Sequence, residues 1–342
     1  MFVVYVTTKR QGYKMLTKEE LLIKPTSHSE LSRLANCEMS WWLRYVEGIQ
    51  RPSGPAAQKG TIVHLGAAAL WRGYDWRRTV LEYIVKCNNP EASDAELYNL
   101  ANKADLNHIK LNGEKHVSDA LWLLDRYVKH YKDFQGTYVV ENELDITADI
   151  PGTGGMHHRA IIDQLVMHKG HMWMLERKTY GRKDRLDYLT VDPQLTLNLW
   201  VARQNGYDVV GIIFDGIYTY RWAPSKPTQR QLLEDAPASV RALPKAAQTA
   251  WARDAVANHP GIERPTTASF SWLYEYRNDE HIEHALDAVR AGISRRTDLL
   301  TGTGSPMRNI GQGCSWCDQR QECYSRLSFD QDVFVDTSDE DD

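Results

Sequence analysis

The sequence predicts an α/β fold in which a group of strands lies between two helical regions of the chain. Helical periodicity dominates the first 135 residues. β-Branched and aromatic residues are then enriched from about residue 137 to residue 176, and turn signals divide this stretch into three segments. A helix with clear ends follows and leads into another buried strand. With 342 residues, of which 42% are hydrophobic and 25% charged, the chain can bury a substantial core.

The N-terminal third is expected to be helical. Residues 27–46 predict a helix, because Ser27 and Glu30 have the spacing of a capping box. Apolar side chains recur in it at helical intervals, at Leu31, Leu34, Trp41 and Tyr45. Residues 58–74 predict another helix, and helical character continues to about Tyr131. The region 1–135 is therefore predicted to be a helical N-terminal region.

The region 136–225 is predicted to form the core. Three strands are expected at 137–147, 158–167 and 171–176, separated by the turn sequences PGTGG and HKG. The next helix should begin at Asp192 as its N-cap with Pro193 in its first turn, and it should end at Asn205-Gly206. A buried strand at 208–220 completes the order β-β-β-α-β.

The rest of the chain is expected to be a helical C-terminal region, 226–329, followed by an acidic tail. Seven acidic residues and no basic residue fall in 330–342, so the remaining chain has a net charge of +3 rather than −4. A mildly basic body is compatible with nucleic acid as a partner. The tail is expected to be disordered and solvated, with an interaction tail or DNA mimic as the alternative.

No apolar run of about 18 residues and no signal-peptide pattern is present, so we expect a cytoplasmic protein without a membrane span. No internal repeat is evident. The phosphate-binding pattern G-x4-G-K-[ST] is also missing, which argues against ATP-driven unwinding by this chain.

An acid and a base stand two residues apart near the end of the third strand, at Glu176 and Lys178. Because side chains alternate along a strand, both should project from one face. Asp163 on the preceding strand lies thirteen residues earlier, and an antiparallel pair could bring the two carboxylates together. Magnesium prefers such oxygen ligands, and a nearby lysine could stabilise charge developing on phosphorus. The alternative is an ordinary ion pair on a strand edge.

Asp163, Glu176, Lys178, Gln194 on the following helix and His64 on an earlier one together resemble the motifs of the PD-(D/E)XK nuclease superfamily, in particular its RecB-like branch. The resemblance implies a restriction-endonuclease-like core, which is a mixed central sheet flanked by helices. It implies that Asp163 and Glu176 bind Mg²⁺ or Mn²⁺, that His64 is a further ligand, that Lys178 assists the attacking water and that Gln194 positions substrate or lysine. Two positions depart from the common pattern, which has glycine in place of Ala160 and tyrosine in place of Asn198.

Four of the five cysteines have an informative arrangement. Cys314, Cys317 and Cys323 form C-x2-C-x5-C, and Cys37 stands alone near the N-terminus. In a cytoplasmic protein this favours a metal site, zinc or iron–sulfur, over disulfides. The arrangement resembles the iron–sulfur nucleases of the Cas4-like group, which implies a [4Fe-4S] cluster joining the N-terminal and C-terminal helical regions. Cys87 is expected to have no special chemistry.

Basic and aromatic residues surround the E-x-K sequence: Arg177, Tyr180, Arg182, Lys183 and Arg185. They could bind a phosphate backbone and stack on unpaired bases, or form a solvated loop. The resulting hypothesis is a metal-dependent DNA exonuclease of recombination, repair or replication, of bacteriophage type, with a single-strand annealing or other recombination protein as a possible partner. The alternative is a noncatalytic iron–sulfur protein that binds nucleic acid or serves assembly on a nuclease scaffold. Oligomeric state stays open.

Overall fold

The computed structural model describes nine stretches of the chain, residues 16–49, 54–89, 91–112, 114–131, 136–180, 191–220, 228–234, 236–258 and 267–326. Within them, helices cover both faces of a six-stranded mixed sheet. This agrees with the α/β fold predicted from the sequence. No helix in these stretches combines the length and apolar character that a membrane crossing requires.

The chain begins with α1 (Lys18–Ile23), the two-residue strand β1 (Thr26–Ser27), α2 (His28–Asn36) and α3 (Glu38–Tyr45). The single helix predicted for residues 27–46 is therefore broken at Cys37, whose backbone is extended. Ser27 accepts a hydrogen bond from the Glu30 N–H, as the capping pattern predicts. The Glu30 carboxylate does not return that bond, because it lies buried in an ion pair with Arg296.

Five helices follow, α4 (Pro55–Trp71), α5 (Trp76–Asn88), α6 (Asp94–Lys103), α7 (Leu106–Asn112) and α8 (Lys115–Tyr131). Helices α4 and α8 approach closely because α4 carries Gly66 at their contact. A Cβ at this position would lie 2.6 Å from a methyl carbon of Leu124. Over its described residues, this third of the chain is helical apart from the short strand β1.

The larger strands are β2 (Thr137–Asp149), β3 (His157–His168), β4 (His171–Tyr180), β5 (Val209–Tyr220) and β6 (Thr267–Glu275). Strands β2, β3 and β4 form the predicted antiparallel meander. Strand β5 pairs with β4 in parallel, and β6 pairs with β5 antiparallel. The short β1 pairs in parallel with the beginning of β3, so the N-terminal segment joins the sheet.

Helix α9 (Pro193–Gln204) connects β4 to the parallel strand β5. Asp192 is its N-cap and accepts the Gln194 N–H at 2.8 Å. Asn205 ends the helix, and Gly206 adopts a φ of +84°, a conformation that costs glycine little. Both ends of this helix are as the sequence predicts.

The C-terminal region contains α10 (Gln229–Glu234), α11 (Ala238–Arg241), α12 (Lys245–Asn258), α13 (Asp279–Thr301), a 3-10 turn (Gln312–Trp316) and α14 (Arg320–Ser325). The expectation of a mainly helical region missed β6. Its sequence TASFSWLYE alternates aromatic and other residues, with Phe270, Trp272 and Tyr274 two positions apart. This is the periodicity of a strand.

Two hydrophobic cores lie on opposite faces of the sheet. The first contains apolar side chains of α2, α9 and α13 with Met174 and Phe214 of the strands. The second contains side chains of α4, α5 and α8 with Leu175 and Ile213. Because β4 alternates between the two cores, successive residues beyond Leu175 point to different sides. Glu176 and Lys178 therefore share one face, and Arg177 has the other.

Candidate active site

The candidate site lies where β3 and β4 separate. Their pairing runs from His168 opposite His171 to Gln164 opposite Leu175 and then ends. Strand β4 continues to Tyr180 beside β5 alone. The first residues beyond the last pair are Asp163 and Glu176, so the predicted carboxylates meet at the divergence of two strands.

Asp163 is held by two contacts. Its Oδ2 accepts the Arg177 backbone N–H at 2.8 Å and lies 3.4 Å from Nδ1 of His64 on α4. Burial works to raise the pKa of Asp163, but the hydrogen bond and charge of His64, with the charge and N–H of Arg177, leave it below its usual range. Asp163 is therefore held as a carboxylate.

Glu176 is 3% exposed, and its Oε1 lies 2.6 Å from Nζ of Lys178. Its Oε2 is buried and has no hydrogen-bond partner among the described residues. Burial, followed by the charge of Asp163, raises the pKa of Glu176 to about 7. The pKa of Lys178 is raised despite burial, because Glu176 and then Asp163 favour the ammonium form. The two carboxylates and Lys178 therefore influence one another's protonation.

The start of α9 borders this group. Gln194 lies half-buried in its first turn, and the charge of Asp192 contributes to the raised pKa of Lys178. Burial lowers the pKa of His28 at the start of α2, with Asp192 and Lys178 acting on it in opposite directions. Sequence reasoning treated Asp192 only as a helix cap and did not select His28. No motif marks either one.

Glu143 on β2 is another residue that the sequence did not reveal. Asn142 pairs with Gln164 and Leu144 with Ile162, which leaves Glu143 opposite Asp163. Its φ of +52° is rare for a residue with a side chain. Burial and the charge of Asp163 raise its pKa. A glutamate in a strand-like sequence gives no signal for such a conformation.

The two departures from the common motif pattern are accommodated without disturbing Asp163. Ala160 is buried in the first core. Asn198 is buried on α9, and its Nδ2 donates to the Ile161 carbonyl at 3.4 Å. The asparagine therefore connects α9 to β3 two residues before Asp163.

The donor set suits a hard divalent cation, because the oxygens come from two carboxylates and one of them, Glu176 Oε2, is buried without a partner. The side chains as they stand are not gathered into one coordination shell. Among the described residues, no group of three His, Cys, Asp or Glu side chains could hold a metal ion. His64 and Lys178 instead lie directly against the carboxylates.

Of the predicted DNA-binding residues, only Arg177 and Tyr180 lie in the described part of the chain. Arg177 is 1% exposed and points into the second core, so the expectation that it contacts a phosphate backbone is corrected by its burial. Tyr180 packs on Phe214, and its hydroxyl lies 3.3 Å from Ser271 Oγ. Arg182, Lys183 and Arg185 lie outside the described residues.

The predicted cluster cysteines are half-buried free thiols. Cys37, Cys314 and Cys317 line one surface cavity of about 740 Å³. Cys317 Sγ accepts the Gln319 N–H at 3.4 Å. Cys323 lies on α14 next to Tyr324 in sequence, and a hydrogen bond with Cys314 is the main cause that raises the pKa of Tyr324. Cys37 lies between α2 and α3 at one end of the chain, whereas Cys314 lies in the 3-10 turn at the other end and Cys317 directly follows that turn.

Polar contacts hold those two ends of the chain together around the cavity. Asp318 forms ion pairs with Arg33 at 2.7 Å and Arg44 at 3.3 Å. Asn309 Nδ2 donates to the Asn36 carbonyl at 3.0 Å. The cysteine segment is therefore positioned against α2 and α3 by side chains other than the thiols.

Comparison with protein-family models agrees with the fold. The family model of the PD-(D/E)XK nuclease superfamily matches residues 25–324, which include every motif residue named above. The chain belongs to this superfamily.

Two solved structures resemble the chain at low sequence identity. One is a candidate exonuclease from Eubacterium rectale, with 13% identity, a TM-score of 0.48 and coverage of 91% of this chain and 94% of that one. The other is SSO0001, with 12% identity, a TM-score of 0.28 and coverage of 91% and 97%. Among curated proteins, no sequence matches significantly.

Proposed function

We propose that this nuclease hydrolyses phosphodiester bonds of DNA in a metal-dependent reaction at Asp163, Glu176 and Lys178. One observation carries the proposal. In a chain of the PD-(D/E)XK superfamily, the two carboxylates meet where β3 leaves β4, and Lys178 Nζ lies 2.6 Å from Glu176. An acid pair with an adjacent ammonium matches the chemistry of phosphodiester hydrolysis.

The surroundings of each residue indicate its role in the reaction. Asp163 and Glu176 would hold Mg²⁺ or Mn²⁺, with His64 as the further ligand, and the ion would polarise the phosphate and acidify water. Lys178 keeps its proton beside Glu176 and can stabilise negative charge on the phosphate oxygens. Gln194 lies in the N-terminal turn of α9 next to Asp192, whose charge acts on Lys178, and by the motif resemblance it would orient substrate or Lys178.

The test uses single-stranded and duplex DNA labelled separately at each end, with Mg²⁺, Mn²⁺ or EDTA. Wild type should degrade DNA only with a divalent ion, and Asp163→Ala and Lys178→Ala should each lose at least about a hundredfold in rate. Lys115→Ala is the matched control, because Lys115 also forms an ion pair with an acid, Asp119 at 3.3 Å, on the exposed side of α8. DNA binding without cleavage under any ion would favour the noncatalytic scaffold instead.

A second part of the proposal is a [4Fe-4S] cluster held by Cys37, Cys314, Cys317 and Cys323. Three of these thiols line one cavity, and an N–H donates to the sulfur of Cys317. Four thiolates are the usual ligands of such a cluster, whose span exceeds that of a single ion. Protein purified without oxygen should be brown, and Cys317→Ser should lose the colour. A colourless protein that contains zinc would contradict the iron–sulfur assignment and indicate a zinc site instead.

The direction of attack and the biological setting are proposals that rest on the motif resemblance. An exonuclease acting on DNA ends in recombination, repair or replication, encoded by a bacteriophage and assisted by an annealing protein, remains our preferred interpretation. The end-labelled assay distinguishes exonuclease from endonuclease action by the products. An exonuclease releases single labelled nucleotides from one end, whereas an endonuclease produces fragments by internal cleavage.

A further inference from the structure

A buried polar network lies directly beneath the candidate site. We name its four side chains, Arg177, Asp215, Tyr127 and Gln164, the arginine clamp. Arg177 Nε donates to Asp215 Oδ2 at 3.0 Å. One Nη donates to Gln164 Oε1 at 3.0 Å and to the Tyr127 hydroxyl at 3.3 Å. Tyr127 in turn donates to Asp215. The network joins β3, β4, β5 and α8.

Stability alone does not account for this network. Arg177 and Asp215 are each 1% exposed. A buried ion pair incurs a desolvation penalty that its Coulomb attraction often fails to exceed, and apolar residues of similar volume are frequently as stable. Both side chains lie on the side of the sheet that carries the second core, to which Leu175 and Ile213, two residues before Arg177 and Asp215, belong.

The position of the clamp indicates its role. Arg177 stands between Glu176 and Lys178 in sequence, and its backbone N–H contacts Asp163 at 2.8 Å. Its guanidinium spans from β4 to Gln164 on β3, next to Asp163 and at the last residue pair before the strands separate. The clamp therefore acts across the gap that separates the two carboxylates.

The sheet itself does not fix the width of this gap. No ladder hydrogen bond joins β3 to β4 beyond the pair of Gln164 and Leu175, and Asp163 and Glu176 lie just past that pair. A guanidinium fixed on β5 by Asp215 and on α8 by Tyr127 can hold β3 at a set distance from β4.

We infer that Arg177, together with Asp215 and Tyr127, is a positioning element that fixes the separation and orientation of Asp163 relative to Glu176, and so sets the geometry in which the site receives a divalent cation. The inference rests on the proposed function. None of the three side chains contacts substrate in this role, because all act through β3 and β4.

The test pairs two double variants. Arg177→Met with Asp215→Leu replaces the buried ion pair of the clamp by apolar groups. Glu30→Leu with Arg296→Met does the same to a distant pair that is equally buried, 1% exposed on each side and 3.2 Å apart. Thermal unfolding establishes that both are folded, and crystal structures give the distance from the residue 177 N to Asp163. Mn²⁺ affinity and the kcat and KM for DNA are then measured.

In the clamp variant, Asp163 should move beyond hydrogen-bond reach of the residue 177 N–H. Mn²⁺ binding should weaken at least about tenfold, because the residues that orient the metal ligands are lost. The kcat should fall while the KM for DNA stays unchanged. The control should keep wild-type values. An unmoved Asp163 with wild-type Mn²⁺ affinity would overturn the inference. If wild type leaves DNA intact, the proposed function fails, while the Asp163 distance still decides the clamp.

Tyr127→Phe covers the case in which the clamp variant does not fold. It keeps the ion pair and removes the hydroxyl that contacts Arg177 and Asp215 and that accepts the Trp71 Nε1–H at 2.8 Å. A loss of at least about threefold in Mn²⁺ affinity would support positioning, in keeping with the effect of outer partners on metal sites. Unchanged affinity would contradict it.

Discussion

A buried histidine should make the stability of this protein depend on pH. His158 on β3 is 0% exposed, its Nδ1 lies 3.2 Å from Thr26 Oγ1, and its Nε2 is buried without a partner among the described residues. Burial, with a smaller contribution from His28, lowers the pKa of His158 to about 4. The folded protein therefore holds this imidazole neutral where an unfolded chain would protonate it.

The sign and size of the effect follow from that shift. Between about pH 6.5 and pH 4 the unfolded state binds the additional proton, so the free energy of unfolding falls as pH decreases through this window. A difference of about 2.5 pKa units corresponds to about 3 kcal/mol. The contribution of His158 is fully present above pH 6.5 and is lost by about pH 4.

Urea unfolding of wild type and His158→Leu at pH 7.5, 6, 5 and 4.5 measures this contribution, because the other titrating groups are common to both proteins. The stability advantage of wild type over the variant should shrink by about 2–3 kcal/mol across the series. His157→Leu is the control, since the neighbouring His157 is exposed and paired with Asp149 at 2.8 Å. A wild-type-minus-His158→Leu difference that is constant with pH would refute the reasoning.

Two further predictions concern packing and docking. Gly66→Ala should destabilise the protein by about 1–2 kcal/mol, because its Cβ would overlap Leu124, whereas Gly60→Ala in the same helix has room and should gain up to about 1 kcal/mol in denaturant unfolding. Glu38→Ala should speed proteolysis between residues 303 and 312, since Glu38 accepts bonds from Arg295 at 2.6 and 2.8 Å and from a backbone N–H of that segment. Equal digestion rates would contradict this contact's role.

Local signals predicted the centre of the fold well. Turn sequences, alternating side chains and the Asp192 cap gave β2 to β5 and α9 close to their observed limits. Tertiary context decided the rest. Glu30 has the spacing of a capping box, but its carboxylate instead forms a buried ion pair with Arg296. Apolar periodicity predicted one continuous helix through Cys37, whereas the structure has two helices that are separated there.

The candidate site was partly readable from sequence. Asp163, Glu176 and Lys178 are brought together by strand alternation and a short turn, both of which are local properties. The burial of Arg177 could not be predicted from local sequence. An arginine beside a motif is typical of a phosphate ligand, and only its partners on β5 and α8 show that it is buried. The position of Glu143 opposite Asp163 likewise could not be predicted, because it depends on a positive φ that the residue type does not indicate.

The cleavage rate constant on an end-labelled single-stranded oligonucleotide at saturating Mn²⁺ tests the central claim most directly. Wild type and Lys115→Ala should cleave at similar rates, while Lys178→Ala, folded by the same thermal criterion, should be slower by at least about a hundredfold. Equal rates for all three proteins would show that the ammonium beside Glu176 has no part in hydrolysis and would contradict the assignment of the site.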